Sequence, residues 1–136
     1  MITELRKGNY VIGESGRVVR IDGFMQESIY MKVEDERVRH IVHKVKYCNP
    51  IQLTNDILMK SGFIQTGHLF SFDLGEGFKI VYNDALKNWH VSIHSTTTAS
   101  INDIKGFHSL QNIVNSLTGK EIEANFLIQK SYGNKR

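Results

Sequence analysis

The chain has 136 residues, 40% of them hydrophobic and 23% charged, an ordinary balance for a globular protein with one real core. Its net charge of +3 is local, because three of the 17 basic side chains (Lys130, Lys135 and Arg136) lie in the last seven residues with no acid among them. The other 14 are matched by 14 acids, which argues against a domain-wide nucleic-acid footprint. The single cysteine, Cys48, excludes an internal disulfide and zinc sites built on cysteine pairs, and suits a reducing compartment. No apolar signal region or membrane-length run is found, so a cytoplasmic protein that does not enter a membrane is expected.

In chain order, the first 48 residues predict a β-meander. Tyr10–Ile12 is a short apolar run, and Gly13-Glu14-Ser15-Gly16 is a turn signal. Val18, Val19 and Ile21 form the next strand, which Asp22-Gly23 is expected to end. Ile29 to Val33 alternates as a half-buried strand does. Glu34-Asp35-Glu36 reads as an acidic turn, and Arg37 to Tyr47 as one long strand with a bulge at Ile41-Val42. Asn49-Pro50 holds the only proline and marks the seam of the chain.

Beyond it, Thr54 has the character of a helix N-cap and Gly62 of a helix stop. Phe63 to Ser95 predicts strands again, with a turn at Gly75-Glu76-Gly77, a connection over Asn83 to Asn88, and Trp89, Val91 and Ile93 lining one face. Ser95 to Ser100 is expected to be a polar loop. Phe107, Leu110, Ile113, Val114 and Leu117 draw one apolar helical stripe, closed by Gly119. Phe126 to Ile128 reads as a short closing strand.

No pattern of reactive side chains stands out. His90 and His94 share a strand face but sit about 13 Å apart, too far for one ion without further ligands. Gly75-Glu76-Gly77 and Gly13 to Arg17 lack the spacing of nucleotide-binding loops. Cys48 reads as a packing residue at a strand end. One local surprise is Arg37, Arg39, Lys44 and Lys46, four bases without an acid on one strand. Such a strand guards a sheet edge, or tracks a phosphate backbone beside Tyr10, Tyr30 and Tyr47.

Three collinear segments carry a resemblance: Glu4 to Val11 (ELRKGNYV), Pro50 to Phe63 (PIQLTNDILMKSGF) and His108 to Ile122 (HSLQNIVNSLTGKEI). They resemble a family of small uncharacterised proteins of Bacteroidetes bacteria, their phages and mobile elements, with an E-L-R-x-G-N-[WY]-V start and an H-x-L-Q-N-L-x-x-x-L-T-G helix. This chain departs from that pattern at Ile113 and Ile122. The resemblance implies no activity. It directs attention to His108, Gln111 and Asn112, which either bond to neighbouring backbone or line a partner surface.

The expected fold is α+β: an N-terminal SH3-like antiparallel β meander, then an antiparallel sheet packed with two short helices. It reads as a single domain over 1–136, divisible into a small barrel-like unit at 1–48, a helix–sheet–helix unit at 49–129 and a basic tail at 130–136. The expected function is a non-catalytic binding or interaction module of a phage or mobile element, with a protein partner and no cofactor or metal. The first alternative is nucleic-acid binding through Arg37, Arg39, Lys44 and Lys46; the second is an enzyme. A homo-oligomer is compatible with either, through an open sheet edge or the Phe107 helix.

Overall fold

The structure is a computed structural model that describes residues 2–34, 41–94, 96–122 and 124. Among the described residues, nine strands form two antiparallel sheets, accompanied by two α-helices. This is the α+β architecture expected. No described helix is long and apolar enough to cross a membrane.

The first sheet has the order β1-β2-β3-β4: Tyr10–Ile12, Val18–Met25, Tyr30–Glu34 and Ile41–Lys44. β2 does not stop at Asp22-Gly23. A register shift between Ile21 and Gly23 absorbs one residue, and the strand runs on to Met25. Glycine inside a strand marks a bulge as readily as an end. The bulge expected at Ile41-Val42 is absent, since Val33 and Lys32 pair with these two residues in unbroken register. Nor does β4 reach Tyr47, because Val45–Tyr47 turns into a 3-10 helix. Arg37, Arg39 and the rest of the acidic turn lie outside the described residues, as do Phe126 to Ile128 and the basic tail.

The second sheet runs in simple chain order: β5 (Ile64–Thr66), β6 (Leu69–Gly75), β7 (Phe78–Asn83), β8 (Asn88–Ile93) and β9 (Thr96–Ile101). β9 corrects the loop expected there. Its Thr-Thr-Thr-Ala-Ser sequence lacks apolar alternation but pairs with β8 from Ile93↔Thr96 to Trp89↔Ile101. β-branched threonine suits a pleated surface even without burial.

Local chemistry fixes both helices. In α1 (Asn55–Lys60) the Ile57 amide donates to Thr54 Oγ1 at 3.2 Å, and Gly62 takes φ +105° to leave the helix. In α2 (Phe107–Thr118) Gly119 takes the left-handed conformation at φ +73°. Phe107, Leu110 and Val114 of α2 meet Leu58, Phe63, Phe70 and Ile80 in the main core. Burying each such side chain is worth about 1.5–3 kcal/mol. The stripe is shorter than its sequence suggests, because Ile113 is half-buried and Leu117 exposed.

A second core lies within the first sheet, around Val11, Val19, Ile21, Met31 and Val33. β1 and β2 serve both cores. Val11 and Val19 face the second, while Tyr10, Ile12 and Val18 pack against the first. The Tyr10 ring meets Phe107 edge-on at 6.4 Å. Tyr10 is therefore an interior anchor and not part of a basic surface.

Candidate functional site

His108, Gln111 and Asn112 of α2 are engaged inside the chain. Gln111 is 1% exposed. Its Oε1 accepts from the Tyr10 amide at 2.8 Å and from Asn9 Nδ2 at 3.4 Å, and its Nε2 donates to the Gly8 carbonyl at 3.1 Å. Asn112 Oδ1 accepts from Asn9 Nδ2 at 2.9 Å, and its Nδ2 donates to the Glu4 carbonyl at 2.6 Å. His108 is 2% exposed, and its Nε2 lies 3.1 Å from the Thr3 carbonyl. A carbonyl only accepts, so Nε2 carries the hydrogen and Nδ1 is left bare and buried without a partner. Arg6 completes the seam with Glu121 at 3.0 Å and the Gln111 carbonyl at 3.3 Å. His108 and Gln111 thus offer no surface to a partner. They fasten the N-terminal segment to α2, and the segments Glu4 to Val11 and His108 to Ile122 meet here.

The basic strand is only partly described. Lys44 and Lys46 flank Tyr47, their ammonium groups 5.9 and 5.0 Å from its ring centre. Tyr47 is 52% exposed. Tyr30 pairs with Lys44 and Lys32 with Val42, so all four residues share one sheet face. Farther along that face, Arg20 is held by Asp22 and Glu34, each at 3.1 Å. The charge of Arg20 is thereby offset on that face.

The reactive candidates disperse. His43 is buried and its Nδ1 accepts from the Glu14 amide at 3.3 Å, while His40 lies outside the described residues. His94 falls beyond β8 with φ +49° and its ring covers Gly77, so it shares no strand face with His90. Among the described residues no three of His, Cys, Asp or Glu gather as metal ligands. Burial, then the charge of Glu14, pushes the Cys48 thiol up to about 11, which leaves little thiolate near neutrality. Its Sγ donates to the Lys44 carbonyl at 3.4 Å.

What the sequence reading missed is a cleft of about 600 Å³ beside α1. Its deeper lining is Leu58, Tyr82, Trp89 and Ile101; its exposed lining includes Gln52, Lys87, Asn88, Asn102, Asp103 and Lys105. Tyr82 and Trp89 face each other across β7 and β8, ring centres 4.9 Å apart, and Phe63 meets Trp89 edge-on at 6.0 Å. The rings are thus held in place by one another and by the β7–β8 pairing. Lys87 caps one side through Asp84 at 2.7 Å. That bond lowers the Asp84 pKa and raises that of Lys87. Asn83 Oδ1 shapes the same loop by accepting from the Ala85 and Leu86 amides at 3.0 and 3.1 Å.

The other side of the cleft hangs on Gly106. A Cβ there would lie 2.7 Å from Pro50 Cβ and 2.9 Å from the Ile51 carbonyl oxygen. Only glycine lets the 102–106 segment approach so closely, which allows the Phe107 amide to donate to Ile51 at 2.9 Å. A sequence signal existed in Gly106, one residue before the apolar stripe, and in Trp89, the sole tryptophan. Nothing local tied the two together. No family model, curated protein or solved structure matches this chain.

Proposed function

We propose that this chain is a non-catalytic binding module of a phage or mobile element, acting in the bacterial cytoplasm through the cleft between α1 and β8. The observation that supports this most is the Tyr82–Trp89 pair, half-buried in a concavity whose exposed lining is amide and charged. Ligand sites combine an apolar body with a few polar groups that orient the guest in this way. The resemblance to the Bacteroidetes family and the reading of the first sheet as an SH3-like unit belong to the same proposal.

A second reading is nucleic-acid binding on the face carrying Lys32, Lys44, Lys46, Tyr30 and Tyr47, favoured by the lysines around an exposed tyrosine ring. One titration separates the two. The indole N–H resonance of Trp89 is followed by NMR with N-acetyl-tryptophanamide, monosaccharides and mononucleotides, and the Lys44 and Lys46 amides with single-stranded oligonucleotides. A saturable shift at Trp89 supports the cleft. Shifts confined to Lys44 and Lys46, lost in steps as salt rises, move the function to β4.

A further inference from the structure

His108 is a buried titratable group that the cleft reading leaves unused, and it stands against the wall of the cleft. Its ring lies between two segments. On the N-terminal side Nε2 donates to the Thr3 carbonyl at 3.1 Å, while Nδ1 has no hydrogen-bond partner. Gly106 lies on the Nδ1 side. A Cβ there would sit 3.5 Å from Nδ1, 2.7 Å from Pro50 Cβ and 2.9 Å from the Ile51 oxygen. That oxygen accepts from the Phe107 amide at 2.9 Å, a bond that ties the 102–106 wall to the 50–51 segment. Residues 102 to 106 and Gln52 line the cleft from these two segments.

A proton must enter at Nδ1, because Nε2 already carries one. Three features oppose it. The ring is buried, and a new N–H finds no acceptor waiting, since the Ile51 oxygen on that side is the one Phe107 uses. His108 is also the second residue of α2, where the helix dipole repels a cation and no acidic side chain in the first turn offsets it. The charge of Glu4, on the N-terminal segment, favours the proton. Elsewhere the 50–51 segment carries no charge, Asp103 and Lys105 are exposed along the cleft, and Arg6 pairs with Glu121 at 3.0 Å. Protonation leaves the Thr3 bond intact, because Nε2 still donates. The cost therefore falls on the Gly106 side and not on the N-terminal segment.

Resting on the cleft reading, we propose that His108 is a proton-operated latch of the cleft: on taking up a proton it parts the 102–106 wall from Ile51 while both sheets stay folded. The parted wall lets His108 accept a proton that the closed wall refuses. The wall is thus closed above about pH 6.5, where an ordinary imidazole is neutral, and parts more often below it. One proton makes the opening up to about tenfold more frequent at pH 5.5 than at pH 7.5.

The test is amide hydrogen exchange on the full chain labelled with 15N, each rate compared with that of the urea-unfolded chain at the same pH. The protection of the Phe107 amide should fall about five- to tenfold from pH 7.5 to 5.5. At pH 5.5 it should lie about tenfold or more below that of Ile80 in β7 and of Gly8, whose amide donates to Ile21. His108→Gln, which keeps a donor for Thr3, should hold the Phe107 protection constant within about twofold. No change with pH, or an equal change in His108→Gln, overturns the latch. So does a Phe107 amide as protected as Ile80, which reports unfolding of the whole chain, or a Gly8 amide that loosens with it, which means that the N-terminal segment lets go instead. Saturating N-acetyl-tryptophanamide should slow Phe107 exchange at pH 5.5. If it shifts the Trp89 indole without doing so, the latch is overturned and the cleft reading stands. If it shifts nothing at either pH, the cleft reading fails and the exchange of Phe107 alone decides the latch.

Discussion

Gln111 in the seam and Gln52 at the cleft are the same side chain in opposite surroundings. Gln111 is sealed between α2 and the segment Gly8–Tyr10, with its oxygen and nitrogen both bonded. Gln52 is exposed at the lip of a cleft floored by Tyr82 and Trp89. The seam also holds His108 and Asn112, which bond to Thr3 and Glu4. Buried polar groups cost free energy unless every one finds a partner, and once paired they specify a single docking geometry. Polar groups around an open concavity stay available to a guest. The difference teaches that polarity on a helix or loop says little about function until its partners are known.

Substitutions on the two sides should separate accordingly. Gln111→Ala should have the largest effect, a loss of about 2–4 kcal/mol, because it leaves the Tyr10 amide and Gly8 carbonyl unpaired and opens a void. Urea unfolding monitored by circular dichroism measures it; a loss under 0.5 kcal/mol would mean that the seam holds nothing together. Gly106→Ala comes next, at about 1–3 kcal/mol, since the new methyl meets the Ile51 carbonyl and something must shift. It should also move the Trp89 indole resonance, whereas Gln111→Ala should not if the two regions are independent.

Acid provides a third, smaller probe. Burial lowers the His108 pKa below its ordinary 6.5, opposed by the bond to Thr3 and the charge of Glu4. The unfolded chain then takes up a proton near pH 6.5 that the folded chain refuses. Stability should be flat above that pH and fall below it, until the folded imidazole titrates too. His108→Gln keeps a donor for Thr3 and should flatten the slope when unfolding is compared at pH 7.5 and 5.5. The smallest stability change belongs to Asn102→Ala, within about 0.5 kcal/mol. It should register in ligand titrations and leave the unfolding curve in place.

Much of the fold was legible where a signal is local. Thr54, Gly62, Gly119 and the Gly75-Glu76-Gly77 turn each act through their own backbone, and each appears where its chemistry places it. β9 was illegible because threonine-rich sequence carries no hydrophobic alternation, and its pairing depends on β8. The continuation of β2 past Gly23 was hidden for a related reason, as one residue type serves both bulge and stop. The seam was half legible. The polar residues could be singled out, but their partners lie 101 to 108 positions away. The cleft was not legible, since it joins α1, the β7–β8 hairpin and the segment before α2.

The seam also sets an order of events. Its bonds join residues 3–10 to residues 108–112, and Arg6 reaches Glu121. Contacts this distant in sequence are slow to form, because the intervening chain must be closed first. On a ribosome, the seam bonds of residues 3–10 must wait until α2 has been synthesised. The first sheet can pair through β1, β2, β3 and β4 in the meantime, but Tyr10 has no Phe107 to meet. The later of the two described helices is thus the one that fastens residues 3–10, and the native state should appear in a single late step.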